Sequence, residues 1–283
     1  MALGLQKTKR RIASVQTTKK ITKAMEMIAT TKLRTWREKM LETRAYTDAL
    51  VEIIQDHLSG EEAFSHPLFN ENVEAKSDLY VVITSHLGLC GSYNHNIYQK
   101  VAEIVRKEDD LVVIGSKGAR HYQNEGEKTI DRYAELAYKL DYPLISRLGG
   151  FLLSKFKDGK YRRIHIIFTH YVNSMLSEPQ VATLLPLPKN ETVHTNKNAF
   201  GPIIEPNIHQ LISDLSPFYV NNLIYSKLIE SQISEQSLRR FAMEQASDNA
   251  DELTDQLLLE YNKERQAAIT QEIAEIVGSS GVK

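Results

Sequence analysis

Two stretches of the chain carry the same hydrophobic pattern. In the first, Leu5, Ile12, Val15, Ile21, Met25, Ile28, Leu33, Trp36 and Met40 recur mostly three or four positions apart, or at multiples of seven. In the last, Leu211, Leu215, Phe218, Tyr225, Ile229, Met243, Ala246, Ala250, Leu253 and Leu257 fall on one alternating four–three register. A stripe that returns every 3.5 residues winds two helices into a left-handed supercoil. Helix breakers leave room for this. There is no glycine between Gly4 and Gly60 and no proline before Pro67; at the other end Pro217 is the last proline, and no glycine falls between Gly201 and Gly278. The breaker-free segments would reach roughly 80–90 Å each as helices, against about 11–12 residues for an ordinary helix. The same stripes would also suit two separate amphipathic helices laid on a globular core, but length and register together favour a coiled coil. Pro217 predicts a helix start or a bend near Ser216.

The middle of the chain has another rhythm. Residues 79–84 (LYVVIT), 111–115 (LVVIG) and 164–169 (IHIIFT) are short β-branched runs of the kind buried on both faces of a sheet. Helices are expected between them, over 94–107, 117–125 and 143–157. Strand alternating with helix implies βαβ units and a mostly parallel sheet. Residues 181–185 read as one more strand, at an edge because Pro186 and Pro188 follow. Residues 186–207, with four prolines, read as a loop. The expected fold is α/β: a long antiparallel two-helix coiled coil drawn from both termini, plus a central Rossmann-like α/β domain with a mostly parallel sheet. The expected divisions are 1–59, 76–200 and 208–278.

Charge changes this picture only in its distribution. The formal net charge is −1, so the whole chain has no bias towards nucleic acid or anionic lipid. Residues 1–39, however, hold eleven Lys or Arg against Glu26 and Glu38, and residues 244–275 hold nine acids against Lys263 and Arg265. Paired antiparallel, the two segments would attract each other; alternatively each faces its own partner. Cys90 is the only cysteine, which excludes an intrachain disulfide. No apolar run is long enough to span a bilayer, and the first residues, MALGLQKTKRRI, have no apolar core of a secretory signal.

Candidate chemistry is thin. The first βα junction, 84–94 (TSHLGLCGSYN), is glycine-bearing, and such a turn can hold a phosphate at a helix N-terminus. It lacks both the GxGxxG spacing and the Lys-Ser/Thr of a P-loop, so Gly88 and Gly91 more simply supply tight backbone geometry. Residues 115–118 (GSKG) have no acid about 20 residues on to take a ribose. Cys90 has no evident base and reads as packing. The nine histidines form no HExxH, and there is no CxxC, so no metal and no cofactor is expected. Asn190 and Thr192 fit a glycosylation sequon that has no meaning without secretion. The basic run 7–11 (KTKRR) lies on the striped helix without interleaved aromatics, so it reads as a solvated or protein-facing surface rather than a nucleic-acid site.

Several ordered motifs resemble one family, the gamma subunit of F-type ATP synthases. Residues 11–14 (RIAS), 18–29 (TKKITKAMEMIA) and 32–34 (KLR) are similar to its first helix. Residues 88–91 (GLCG) with Asn94 are similar to its first βα turn, and Glu205 and Pro206 with 215–220 (LSPFYV) to the entry of its last helix. Glu230, Ser231, Ser234, Glu235, Arg239, Ala242, Met243 and 248–250 (DNA) follow in family order, then 261–263 (YNK), 265–267 (RQA), Ile269, Thr270, Glu272 and 275–277 (EIV). There are departures. His86 and Leu87 stand where the family usually has an acid and a base, Arg240 with Phe241 is an unusual pair, and 279–282 (SSGV) replaces a small-residue ending. The cysteine-bearing insertion of the chloroplast form is absent.

The resemblance implies a non-catalytic rotor shaft turning inside a ring of alpha and beta subunits, with the α/β domain holding an epsilon subunit and a membrane c-ring. It would couple ion flow to ATP synthesis or hydrolysis, bind no cofactor, nucleic acid or small-molecule substrate itself, and sit peripherally on the cytoplasmic face of a bacterial cell membrane. Met25 corresponds to the family position that faces the acidic lever loop of a catalytic subunit; Met25 also lies on the apolar stripe, which equally suits a coiled-coil seam. Arg265, Gln266 and Thr270 correspond to an upper catch that hydrogen-bonds a catalytic subunit. Two other readings remain: a divergent paralogue in an F-type-like ATPase, and a coiled-coil scaffold for unrelated partners. A nucleotide-using enzyme on the α/β domain is a third, which nucleotide binding by the isolated chain would reveal.

Overall fold

The computed structural model describes residues 2–53, 61–125, 129–173, 176–189, 205 and 207–280. Most of the expected loop over 186–207, including Asn190, lies outside them. The elements run α1 (Ala2–Glu52), α2 (Glu61–Phe64), β1 (Leu79–Ile83), α3 (Tyr93–Ile104), β2 (Asp110–Ile114), α4 (Ser116–Glu125), β3 (Thr129–Arg132), α5 (Tyr142–Lys157), β4 (Ile164–Tyr171), β5 (Ser177–Leu185) and α6 (Ile208–Ser280). The chain divides into two compact units, Met1–Thr30 with Arg239–Lys283, and Thr31–Leu238.

The first unit is built from two antiparallel helical segments. Thr8 Oγ1 donates to Glu264 Oε2 at 3.2 Å, Lys19 pairs with Asp251, and the Thr22 and Ser247 hydroxyls meet at 2.7 Å, so ascending residues of α1 meet descending residues of α6. The basic and acidic segments thus lie side by side, as their charges favour. The exposed Lys19–Asp251 pair adds orientation more than stability.

The seam is not the stripe that hydrophobicity alone selects. On α1 it runs through Thr8, Ile12, Thr22 and Ala29, whereas Ile21 and Ile28 are each 56% exposed. On α6 it runs through Met243, Ser247, Ala250, Thr254 and Leu257, while Leu253 is exposed. Both candidate registers share Met243, Ala250 and Leu257, and they differ in what fills the positions between. The small hydroxyl residues take the seam. The Thr22 hydroxyl is also within reach of the Lys19 carbonyl (3.0 Å), and that of Ser247 within reach of the Met243 carbonyl (2.9 Å). Two hydroxyl hydrogens thus serve three contacts, which leaves neither oxygen stranded in the buried seam.

The second unit holds a five-stranded sheet in the order β3-β2-β1-β4-β5. The first four strands are parallel and β5 is antiparallel, paired along β4 from Ile164–Leu185 to Tyr171–Ser177. The two-residue period of the strands divides the core. Val81, Ile83, Val112, Ile114, Ile166 and Phe168 meet Ile145, Leu148 and Leu152 of α5 and Val220, Ile224 and Leu228 of α6. Tyr80, Val82, Leu111, Val113 and Ile167 meet Ile97 and Val101 of α3 and Tyr122 of α4 on the other face. Leu33 and Trp36 of α1 pack on Ile229 and Ile233 of α6, and Thr47 bonds Asn222, again antiparallel.

β3 is absent from the sequence expectation because TIDR carries no apolar run, and β5 starts earlier than expected because SEPQ is polar, as an exposed edge permits. Pro217 lies inside α6 rather than at its start. Its missing N–H would orphan the Ser213 carbonyl, and the Ser216 hydroxyl donates to that carbonyl at 3.2 Å instead.

Candidate functional site

The two turns that raise the thought of a phosphate are closed on themselves. At 84–94, Asn94 Oδ1 accepts the Ser85 N–H at 3.0 Å while its Nδ2 donates to Ser85 Oγ at 2.7 Å. Gly91 adopts φ +58°, the left-handed conformation that glycine takes without cost. At 115–118, Thr84 occupies the space a ligand would need: its Oγ1 accepts the Gly118 N–H at 3.0 Å and donates to the Ile114 carbonyl at 2.7 Å. A Cβ on Gly115 would fall 2.3 Å from the Thr84 carbonyl oxygen, and one on Gly118 2.6 Å from the Thr84 side chain. These glycines let two βα turns pack on each other, and the Ser85, Lys117 and Gly118 amides already have internal partners. Cys90 is buried beneath the same turn. His86, at a departure from the family pattern, bonds Ser116 through Nδ1 at 2.8 Å and packs on the Tyr138 ring. Among the described residues, no group of three or more His, Cys, Asp or Glu is placed to hold a metal ion, and no helix is long and apolar enough to cross a membrane.

What the molecule offers instead is contact surface on its helices. Met25 is half-buried on α1, flanked by exposed Ile21, Met27 and Ile28. Beside it Lys23 bonds Glu26 at 2.9 Å, and that bond, with Glu244 and Asp248 nearby, holds the Lys23 ammonium above the ordinary lysine range. Arg265, Gln266 and Thr270 are exposed on α6. Gln266 and Thr270 share a face, and the Thr270 hydroxyl is tied to the Gln266 carbonyl at 2.9 Å, which fixes its rotamer. Exposed Ile269, Ile273, Ile276 and Val277 accompany them. The four expected contact residues do not converge. With Thr22 opposite Ser247, Met25 lies roughly 30 Å along α6 from Gln266 at 1.5 Å per residue. They belong to two patches. Sequence reasoning missed the apolar companions of Met25 because it assigned Ile21 and Ile28 to the seam. A groove of about 480 Å³ lined by Gln16, Lys19, Lys20, Lys23, Asp251 and Thr254 gives the same helices a basic flank.

Paired helices with apolar and charged side chains exposed along them, in a chain that also carries an α/β domain with a mostly parallel sheet, define a class of protein with extended helical contact surface. Comparison with known proteins gives the family. The chain belongs to the ATP synthase gamma-chain family: the family model described as ATP synthase matches residues 4–281. The ATP synthase gamma chain of Heliobacterium modesticaldum is 35% identical over 285 residues, covering 98% of each chain. That of Mycoplasma mobile is 37% identical over 282 residues, again 98% of each. The fold is similar to a chain of the Euglena gracilis mitochondrial ATP synthase (TM-score 0.70, 17% identity, 99% of this chain and 95% of that one). It is also similar to one in the Tetrahymena thermophila central stalk and c-ring (TM-score 0.59, 22% identity, 80% and 99%).

Proposed function

We propose that this chain is the central shaft of an F-type ATP synthase, turning inside a ring of alpha and beta subunits and held at its other side by an epsilon subunit and a membrane c-ring. The observation that carries the reading is the family match over almost the whole chain, together with apolar and charged side chains exposed along the helices. The shaft is non-catalytic. It couples ion flow to ATP turnover by offering a different side chain to each of three chemically identical sites, and differential contact is the only means by which it shifts their states. Segments 1–59 and 208–278 are the shaft proper in this reading, and residues 76–200 carry the ring-side contacts. The protein is a peripheral part of a membrane-bound complex; its bacterial relatives favour the cytoplasmic face of a bacterial cell membrane.

Met25 is assigned to contact with the acidic lever loop of a catalytic subunit, and Arg265, Gln266 and Thr270 to the upper catch. Partial exposure of Met25 and full exposure of the other three support this. The test is Met25→Lys. An added ammonium facing acidic residues would form an extra ion pair worth about 1 kcal/mol at a partly screened interface, holding one rotary state too tightly. Assembled complexes should then pump fewer protons per ATP hydrolysed while the chain melts normally. An unchanged pumping ratio with a lower melting temperature would make Met25 a seam residue. His86 and Leu87 keep a second reading open, a divergent paralogue in an F-type-like ATPase; the subunits that co-purify with the chain decide between them.

A further inference from the structure

One stretch of α6 is buried on every side and yet largely polar. Ser231, Gln232, Ser234, Glu235, Gln236 and Ser237 are all buried, directly after a stretch in which the same helix docks through Ile212, Val220, Ile224 and Leu228. The strand geometry explains what the serines meet. β1 and β4 pair only as far as Val82–Ile167, and β1 ends at Ile83. β4 runs on to Tyr171, so at Thr169 its edge towards β1 has no strand beside it. α6 fills that place. Ser231 Oγ accepts the Thr169 N–H at 3.3 Å and the Ser234 hydroxyl donates to the Thr169 carbonyl at 3.1 Å. Residues 231 and 234 are one turn apart on the helix, so one face of α6 holds a single residue of the sheet at both its N–H and its carbonyl. A second anchor lies on another element: Gln232 Nε2 donates to the Ala137 carbonyl at 2.5 Å and to Glu235 Oε2 at 3.2 Å. Tyr93 of α3 closes the first anchor, its buried hydroxyl lying beside Ser231 and Thr169.

We propose that Ser231, Gln232 and Ser234 are positioning residues that form the torque-bearing junction between α6 and the α/β domain. The inference rests on the reading of the chain as a shaft. Apolar contacts resist separation but are non-directional, so a helix held by them alone slips along or about its axis by exchanging one contact for a similar one. Hydrogen bonds to fixed backbone groups have distance and angle requirements. Inside a buried layer, a bond broken by slippage is not replaced by water. Two anchors on different elements, the end of β4 and the turn after β3, oppose both sliding and rotation of α6 against the domain. The family resemblance at Ser231 and Ser234 thereby acquires a mechanical cause.

The test places Ser231→Ala/Ser234→Ala and Gln232→Leu in a complex that otherwise lacks this subunit and measures ATP hydrolysis, protons pumped per ATP, and melting temperature. Leu228→Ala serves as the packing control, since it loosens the same helix without touching a directional bond. The expected result is at least a twofold fall in protons pumped per ATP for the polar variants against a steep opposing gradient, with hydrolysis retained. The control should melt lower and keep the parental ratio. Ser234→Thr, which keeps the hydroxyl, should restore the ratio in the Ser231→Ala background relative to the double alanine variant. A parental ratio in the polar variants, or an equal loss in Leu228→Ala, overturns the proposal and leaves the layer purely structural. If the double variant does not assemble, Ser234→Ala alone is read by the same criteria. Failure of the unmodified chain to support pumping would instead count against the shaft reading itself.

Discussion

Gly149 on α5 is where the second unit is most tightly closed, and it makes a quantitative prediction. A Cβ built at Gly149 would lie 1.9 Å from Asn221 Oδ1 and 3.1 Å from its Cγ, with Val220 at 3.7 Å behind. Asn221 is 5% exposed on α6, and its Oδ1 has no hydrogen-bond partner. Gly149→Ala therefore pushes a methyl into a buried amide that has little room to turn. Overpacking costs about 1–3 kcal/mol, and an approach of 1.9 Å puts this site in the upper part of that range, at about 2–3 kcal/mol, offset by about 1 kcal/mol because alanine favours the interior of a helix over glycine. The net expectation is a loss of about 1–2 kcal/mol. Asn221→Ala removes the obstacle together with an unsatisfied acceptor, so it should cost little. In that background Gly149→Ala should stabilise by up to about 1 kcal/mol. The substitution thus changes sign, with a coupling of about 2–3 kcal/mol typical of residues in direct contact. Urea or thermal unfolding of the four proteins measures it; about 1 kcal/mol corresponds to roughly 2–4 °C in a chain of this size. A Gly149→Ala protein as stable as the parent, or one equally destabilised in both backgrounds, would refute the close approach of α5 and α6.

His66 and His165 are both held below the ordinary histidine range by burial, His66 additionally by His209 and Lys157. The unfolded chain takes up those protons first, so their contribution is full above pH 6.5, the unfolded value, and is lost as the pH falls below it. Each adds a slope of up to about 1.4 kcal/mol per pH unit. His66→Gln/His165→Gln should flatten the stability profile between pH 6.5 and 5, and an unchanged slope would show that the loss arises elsewhere. The seam assignment predicts that Leu257→Ala, at a site 3% exposed, costs about 2–4 kcal/mol. Leu259→Ala, 72% exposed, should stay within about 0.5 kcal/mol; equal effects measured by denaturant unfolding would place the seam elsewhere.

Much of this architecture is legible without coordinates. Gly and Pro are missing from residues 5–59 and 218–277, which leaves room for long helices, and β-branched runs at β1, β2 and β4 separated by helix-length intervals imply parallel crossovers. Opposite charge in the two end segments favours antiparallel pairing. The contact residues were reached through resemblance alone, because Met25, Arg265, Gln266 and Thr270 carry no chemistry that marks them out and lie in two patches.

The sequence by itself determined the long terminal helices and the apolar strands β1, β2 and β4, since period, breakers and propensity act within a few residues, but not the polar β3 or the start of β5. Tertiary structure decided which face of each helix is inside. Two heptad registers fit α6 through Met243, Ala250 and Leu257, and hydrophobicity favours Leu253 over Thr254. The seam nonetheless takes Ser247 and Thr254, because their small hydroxyl side chains are satisfied there, Ser247 across the seam with Thr22 and Thr254 by the Ala250 carbonyl of its own helix. The same holds for residues 231–237 of α6, which are largely polar and yet buried. They are buried because β4 outruns β1 and leaves the Thr169 amide and carbonyl in need of partners. Whether a serine faces water or a strand edge depends on where a strand more than sixty residues earlier happens to end, and no local pattern encodes that.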